Sequence, residues 1–305
     1  MVLAIKNRSE ILFLYDVTDS NPNGDPVDEN KPRIDEETGI NIVTDVRLKR
    51  TIRDYLYDYK GQDIFILEKK DEKGNLRTKE DRLSDFKDSP EEVKNRCIDV
   101  RLFGATIAVK DKTLTLTGPV QFKYGKSLHK VSPAYIKGTT VMPSKQDKKQ
   151  GTFTERYILP YSLICFYGVV NENAALNQEI NLTEDDISLL LEGIWLGTKN
   201  LISGSKFGQV PRFLMQVVYK EKANFFLGEL DKRISLLKEI RDEEIRDISQ
   251  VKLDVSDLLS AIEGNKDKIE KILLKVDERV IVTKDGKEIE VKEALKDITV
   301  EYLAF

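Results

Sequence analysis

Ile11-Leu12-Phe13-Leu14-Tyr15, followed by Asp19-Ser20-Asn21-Pro22-Asn23-Gly24-Asp25-Pro26 and then Thr44-Asp45-Val46-Arg47-Leu48-Lys49-Arg50, is the stretch whose reading decides the fold. Five apolar residues in a row, bounded by turn formers, read as a strand covered on both faces and not as a half-exposed one. The run stops at Asp16. From Asp19 to Pro26 almost every residue favours a turn or a positive φ, so an irregular loop is expected to about Val43. A loop of that length inside a folded domain carries function or is disordered. Thr44 then supplies a capping oxygen for a helix starting at Asp45, whose carboxylate suits the positive end of the dipole.

That helix is two-sided. Leu48, Ile52, Tyr55, Leu56 and Tyr59 fall on one stripe, with Arg47, Lys49, Arg50 and Arg53 on the arc beside and behind it. The stripe is expected to pack and the cations to face solvent. A strand end, an open loop backbone and a basic helix start together make a seat for a phosphate chain. The plainer reading is a solvated amphipathic helix.

Composition bounds the rest. The 305 residues suffice for one large domain or two small ones; 40% are apolar and 33% charged, with a formal net charge of −4. That total argues mildly against nucleic-acid binding, but the charge is unevenly placed. Val120 to Arg156 holds eight Lys/Arg against two acids, whereas Glu221 to the end holds sixteen against twenty-one. A basic middle and an acidic tail suit one polyanion-binding face and one facing protein or solvent. Cys97 and Cys165 stand far apart without CxxC spacing or histidine partners, so neither zinc nor a disulfide framework is indicated and a reducing cytoplasm fits. No segment reads as a signal peptide or membrane span.

Further along, Asp63 to Glu68 reads as a second strand, Lys69 to Lys79 as a charged excursion, and Ser89-Pro90-Glu91-Glu92 as a helix start leading to Gly104. Thr113 to Phe122 reads as strand broken by Gly118-Pro119. Lys123 to Thr152, rich in lysine with scattered aromatics, reads as a projecting hairpin or arm suited to a nucleic-acid backbone. Arg156 to Val170 gives the strongest strand signal; Thr183 caps a helix over 184–201 with Trp195 in its apolar face, and 212–220 resumes as strand. The core order is therefore βαββαβ, a ferredoxin-like α+β class with the first and third strands central. After Lys220 the chain is expected to be helical and acidic from Leu230 to Leu274, then to form a hairpin about Asp285-Gly286.

Three motifs are incomplete. Asp19 to Gly24 matches the first half of a calcium loop, but position twelve is Asn30 where a bidentate Glu is required. Gly125-Lys126-Ser127 ends like a phosphate-binding loop whose first glycine is Val120, so NTP hydrolysis is not indicated. His129 is the single histidine, which excludes a paired-histidine ribonuclease mechanism and leaves it stacking or hydrogen bonding in the arm. Asp19, Asp25, Asp28, Asp35 and Glu36 form a loop of acids able to hold a divalent metal for phosphodiester cleavage.

Asn21-Pro22-Asn23-Gly24-Asp25-Pro26, Thr44 to Arg50, Arg101-Leu102-Phe103-Gly104, Gly118-Pro119-Val120-Gln121-Phe122 and Lys206-Phe207-Gly208-Gln209, in this order, resemble the family-seven CRISPR-associated proteins, and within them the backbone subunit of type I-B Cascade. The likeness runs from about Ser9 to Tyr219. It implies a hand: an RNA-recognition-type (RRM-like) palm over 1–221, helical fingers inserted at about 68–104, a hairpin thumb at about 126–152, and an extension over 222–305 packed on the palm. It implies that Arg47, Lys49, Arg50, Arg53, Gln121, Lys123, Lys206, Phe207 and Gln209 meet guide RNA together with Asn23 and Gly24, and that His129, Lys137 and Met142 of the thumb displace a base. The implied partners are crRNA, the target DNA strand paired to it, further copies of this chain in a filament, family-five and family-eight CRISPR-associated proteins and a small subunit, in the cytoplasm and without a cofactor or membrane. The expectation is a non-enzymatic RNA-binding subunit that leaves sequence recognition to base pairing. The runner-up, a metal-dependent ribonuclease using Asp25 or Asp28, follows type III backbone relatives that cut RNA with a loop acid.

Overall fold

Ser9–Ser20 (β1) is the middle strand of the molecule. The structure, a computed structural model, describes residues 4–109, 112–139 and 153–305. In chain order follow Ile40–Val43 (β2), Asp45–Asp58 (α1), Val120–Phe122 (β3), Gly125–Lys130 (β4), Ala134–Thr139 (β5), Phe153–Val170 (β6), Glu184–Lys199 (α2), Gln209–Tyr219 (β7), Ile269–Val276 (β8) and Val300–Tyr302 (β9). The class is mixed α+β. The main sheet runs β9-β8-β7-β1-β6-β4-β2, and β3 and β5 also pair with β6. β1 is antiparallel to both neighbours, with Phe13 opposite Phe166 of β6 and Leu214 of β7.

Why Ile11 to Tyr15 of β1 form an unbroken apolar run follows from its two faces. Ile11, Phe13, Tyr15 and Val17 pack with Leu48, Ile52 and Leu56 of α1 and with Leu190, Leu191 and Ile194 of α2. Leu12 and Leu14 point the other way, into a core shared with Leu258, Leu259 and Ile262 of the helix Ser256–Glu263 and with Leu274 of β8. Burying each such side chain contributes about 1.5–3 kcal/mol relative to exposure. The two helices close tightly because α2 has glycine at the contact: a Cβ on Gly193 would lie 3.1 Å from Ile52 Cγ2, and one on Gly197 3.1 Å from the Thr51 carbonyl oxygen.

The second face also takes two acids of β1, each answered locally as a buried charge requires. Glu10 accepts from the Tyr167 and Tyr219 hydroxyls and from the N–H groups of Leu227 (2.7 Å) and Gly228 (2.9 Å), which fastens the chain leaving β7. Asp16 accepts from Arg212 Nε at 2.8 Å and the Tyr161 hydroxyl at 3.1 Å, and Arg212 reaches on to Asp277 at 2.6 Å.

Several expected elements differ. Asp63 to Glu68 is not a strand: Ile64 and Phe65 are buried, but the N–H groups of Phe65 and Ile66 donate to Asp99 and the Ile64 carbonyl accepts from Arg82, so side chains replace a ladder. Its expected place beside β6 is held by β3 and β4. The helix from Ser89 is two, Pro90–Arg96 and Ile98–Phe103, broken at Cys97, and the following strand is a hairpin of Gly104–Val109 with Lys112–Thr117. With Lys79–Ser84 these form a lobe around its own core of Phe65, Leu83, Phe86, Val93 and Ile107. Tyr59 is 59% exposed, stacked on Tyr55 and off the buried stripe. Leu230 to Leu274 holds one α-helix, Ser256–Glu263, and otherwise short strands and 3-10 turns, with β8 joining the main sheet. The turn at Asp285-Gly286 is present, both residues at positive φ.

The arm begins later than expected. Gly125 to Lys130 belongs to the main sheet, and the projecting hairpin is β5 paired with Phe153 to Ile158 of β6. His129 is therefore a core residue and not a base-displacing one: it is 2% exposed, its Nε2 accepts from Leu163 N at 3.2 Å and its ring stacks on Tyr161. Met142 lies outside the described residues.

Candidate nucleic-acid interface

The start of α1 is built as its sequence dictates. Thr44 Oγ1 accepts from Arg47 N at 3.3 Å, and Asn23 Oδ1 accepts from both Thr44 N and Thr44 Oγ1 at 2.9 Å. Asn23 thus holds the cap with its side chain. Gly24 is needed where it stands, since a Cβ would meet Asn30 Oδ1 at 2.1 Å.

Two of the four helix cations expected to meet guide RNA are turned inward. Lys49 Nζ donates to Asp45 (2.9 Å) and Gln121 Oε1 (3.0 Å), and Arg53 Nε donates to Asp99 Oδ2 at 3.0 Å. Both lie over the Phe103 ring. The physical reason is the lobe after Gly61, which folds back over this arc of the helix. Three of the quoted sequence motifs converge here: Gly118 abuts the backbone of Phe103 and Gly104, Gln121 accepts from Lys49 and donates from Nε2 to the Gly118 carbonyl at 3.0 Å, and Arg101 pairs with Asp186 of the α2 capping box. These motifs build a joint between sheet and lobe. Arg50 stays 41% exposed on its side chain but pairs with Asp54 at 2.7 Å.

What remains open is Arg47 and Lys206. Arg47 Nη2 donates to Thr51 Oγ1 at 2.9 Å and Lys206 Nζ to Ser205 Oγ at 3.2 Å, and neither forms an ion pair among the described residues. Burial pushes both cations below their ordinary pKa, and the Arg47 charge lowers Lys206 further. Two neighbouring cations that no carboxylate among the described residues pairs with are a place for an anion. Asn21 N donates to the Ser205 carbonyl at 2.7 Å and so fixes the Lys206 loop beside the end of β1. Phe207 on that loop is 73% exposed. Arg47 and Arg50 also line a cavity of about 710 Å³ between α1 and the lobe, with Lys79, Arg77 and Arg82 on its far wall.

The other expected residues lie apart. Lys123 pairs with Asp231 of the extension at 2.9 Å, Lys137 on β5 lies 3.6 Å from Glu155, and Gln209 is buried in β7 opposite Val17. The loop acids do not converge: Asp25 pairs with Arg33 at 2.6 Å, Asp28 with Lys31 at 2.7 Å, and Asp35 accepts from the N–H groups of Glu37 and Thr38. Among the described residues no three His, Cys, Asp or Glu side chains come together as metal ligands.

A family model described as CRISPR-associated protein Cas7 matches residues 7–256. The chain belongs to the Cas7 family. A curated Cas7 protein of Haloferax volcanii is 35% identical over 295 residues, covering 87% of this chain and 85% of that one. Among solved structures, a chain of a CRISPR RNA-guided surveillance complex described as pre-nicking superposes with a TM-score of 0.58 at 13% identity, covering 97% of this chain and 96% of that one. A second chain, from a CRISPR RNA-guided surveillance complex, gives 0.53 at 14% identity over 92% and 95%. At such identities the likeness is one of fold. It embraces the extension after Lys220, where no sequence motif had been recognised, as well as the Cas7 sheet.

Sequence reasoning missed Asp99, the acid that holds Arg53 and two backbone N–H groups. The signal was there: a lone carboxylate in Cys97-Ile98-Asp99-Val100 is flanked by apolar residues on both sides, the pattern of a buried acid seeking a cation. No helix among the described residues of this Cas7 chain is long and apolar enough to cross a membrane.

Proposed function

We propose that this Cas7-family chain is a non-enzymatic backbone subunit of type I-B Cascade. It binds crRNA through phosphates irrespective of base sequence, polymerises along the guide and presents it for pairing with a target DNA strand. The observation that carries the reading is the pair Arg47 and Lys206, two cations without ion-pair partners among the described residues, flanking the capped start of α1. Such a pair neutralises phosphate and reads no base edge. In this reading the main sheet with α1 and α2 is the RRM-like palm, the lobe from about Gly61 to Thr117 the fingers, and the β5–β6 hairpin the thumb. The extension packs on the second face of the palm. Further copies of the chain, family-five and family-eight CRISPR-associated proteins and a small subunit complete the assembly, in the cytoplasm.

The titration of purified protein on single-stranded RNAs of increasing length, with and without Mg²⁺, tests this. Intact RNA gaining one shifted band per increment of length, and losing it as salt rises, supports a filament on phosphates. Shortened RNA appearing only with Mg²⁺ replaces the proposal with a metal-dependent ribonuclease, and no shift at any length overturns it.

A further inference from the structure

Arg156 and Tyr157 stand next to each other in β6, at the root of the projecting hairpin, opposite Ile136 and Tyr135 of β5. Successive residues of a strand point to opposite faces. The hairpin is therefore held from both sides, by two different loops. On one face Arg156 Nη1 donates to the Gly204 carbonyl at 2.8 Å, a charge-assisted bond. On the other the Tyr157 hydroxyl donates to Glu29 at 3.2 Å, and Lys31 Nζ lies 5.4 Å from the centre of its ring.

These are the two loops that flank the start of α1. One holds the α1 cap through Asn23, and the other carries Lys206 beside Arg47. Asn21 joins them: its backbone N–H donates to the Ser205 carbonyl and its Nδ2 to the Asn30 carbonyl, both at 2.7 Å. Arg156 and Tyr157 close the circuit through the hairpin. Within the second loop the N–H groups of Lys206 and Phe207 both donate to the Ser203 carbonyl, at 3.2 and 3.1 Å, so residues 203–207 form one turn. Where Gly204 is held, Lys206 and Phe207 are held with it.

Resting on the guide-binding reading above, we infer that Arg156 is a positioning residue for the phosphate seat: it fixes the Lys206 turn to the hairpin, so that the hold on the guide depends on where the hairpin stands. Linkage makes the dependence mutual. A strand seated on Lys206 steadies the turn and, through Gly204, the root of the hairpin.

The test places Arg156→Ala in two full-length chains, the wild type and the variant Lys206→Ala with Phe207→Ala, whose turn has lost its cation and its ring. Binding of one short single-stranded RNA is measured on all four. Arg156→Ala is expected to weaken RNA about five-fold in the wild type and to cost nothing further in the variant, because a positioning residue acts only through what it positions. A second measurement needs no RNA: amide hydrogen exchange at Lys206 and Phe207 is expected to run about five-fold faster in Arg156→Ala than in the wild type. Arg156 is exposed, so the substitution is expected to leave the melting temperature unchanged. Equal losses of affinity in both chains mean that Arg156 touches the strand itself or acts through overall stability, and overturn the positioning role. Unchanged exchange overturns it too, and the guide-binding reading survives either result. A wild-type chain that binds no RNA overturns that reading and the role of Arg156 with it.

Discussion

Arg53 and Asp99 form an ion pair sealed between α1 and the lobe, Nε to Oδ2 at 3.0 Å, with side-chain exposures of 7% and 0%. The same carboxylate takes the N–H groups of Phe65 and Ile66. Removing it strands a buried guanidinium and two backbone donors. Asp99→Ala is expected to destabilise the protein by about 3–5 kcal/mol, read as a lower midpoint in urea. An unchanged midpoint would show that the joint is not what holds lobe to sheet.

Arg47 and Lys206 lack such partners among the described residues, so their reversal is expected to act on binding. Arg47→Glu with Lys206→Glu is expected to weaken single-stranded RNA by roughly a hundred-fold or more. Losing two phosphate contacts lowers the slope of log affinity against log salt by about 1.4. Folding stability is expected to stay close to wild type. Lys49→Ala, by contrast, removes a cation already held by Asp45 and Gln121, and is expected to lower stability before affinity.

His129 gives the fold a pH dependence of defined sign. Burial holds its pKa below the ordinary 6.5, opposed by the nearby Asp242 and reinforced by Lys238. The ring is therefore neutral when folded and takes up a proton more readily when unfolded. Stability is fully present above 6.5 and falls as pH drops from there toward the folded value, by about 1.4 kcal/mol for each tenfold difference in proton affinity. Urea midpoints between pH 7.5 and 5.5 should show the decline, and His129→Gln should flatten it. A slope that His129→Gln leaves intact assigns the effect elsewhere.

Gly118 has no room for a side chain. A Cβ there would lie 2.1 Å from the Phe103 carbonyl carbon and 2.2 Å from Gly104 N, both backbone atoms that cannot turn aside. Gly118→Ala is expected to cost about 1–3 kcal/mol or more, seen as a lower melting temperature. Gly204→Ala is a control: its Cβ would have only an Arg156 nitrogen near it, at 3.8 Å, and it should stay within about 0.5 kcal/mol of wild type.

The parts legible in the sequence were those decided within one turn or one strand. Thr44 caps α1 and Thr183 caps α2 because each oxygen meets an N–H three residues on. β1 and β6 lie side by side because both need covering on two faces. What was not legible depended on residues far along the chain. Asp63 to Glu68 has the apolar run of a strand, but Asp99 and Arg82 reach it first. Lys49 and Arg53 look solvent-facing on a helix drawn alone, and the lobe turns that surface into an interior. β8 escaped the helical reading of 230–274 because the open edge of β7 was there to be paired.

β6 runs 18 residues without interruption, its first part paired to β5 and its last part to β1. At about 3.3 Å per residue it is a rod of roughly 60 Å. A pull on the hairpin is therefore carried straight into the centre of the molecule, where the ladder with β1 meets the force lengthwise. Its rungs share the load together and do not open one after another like a zipper. Whatever grips the arm is anchored to the most deeply embedded strands the protein has.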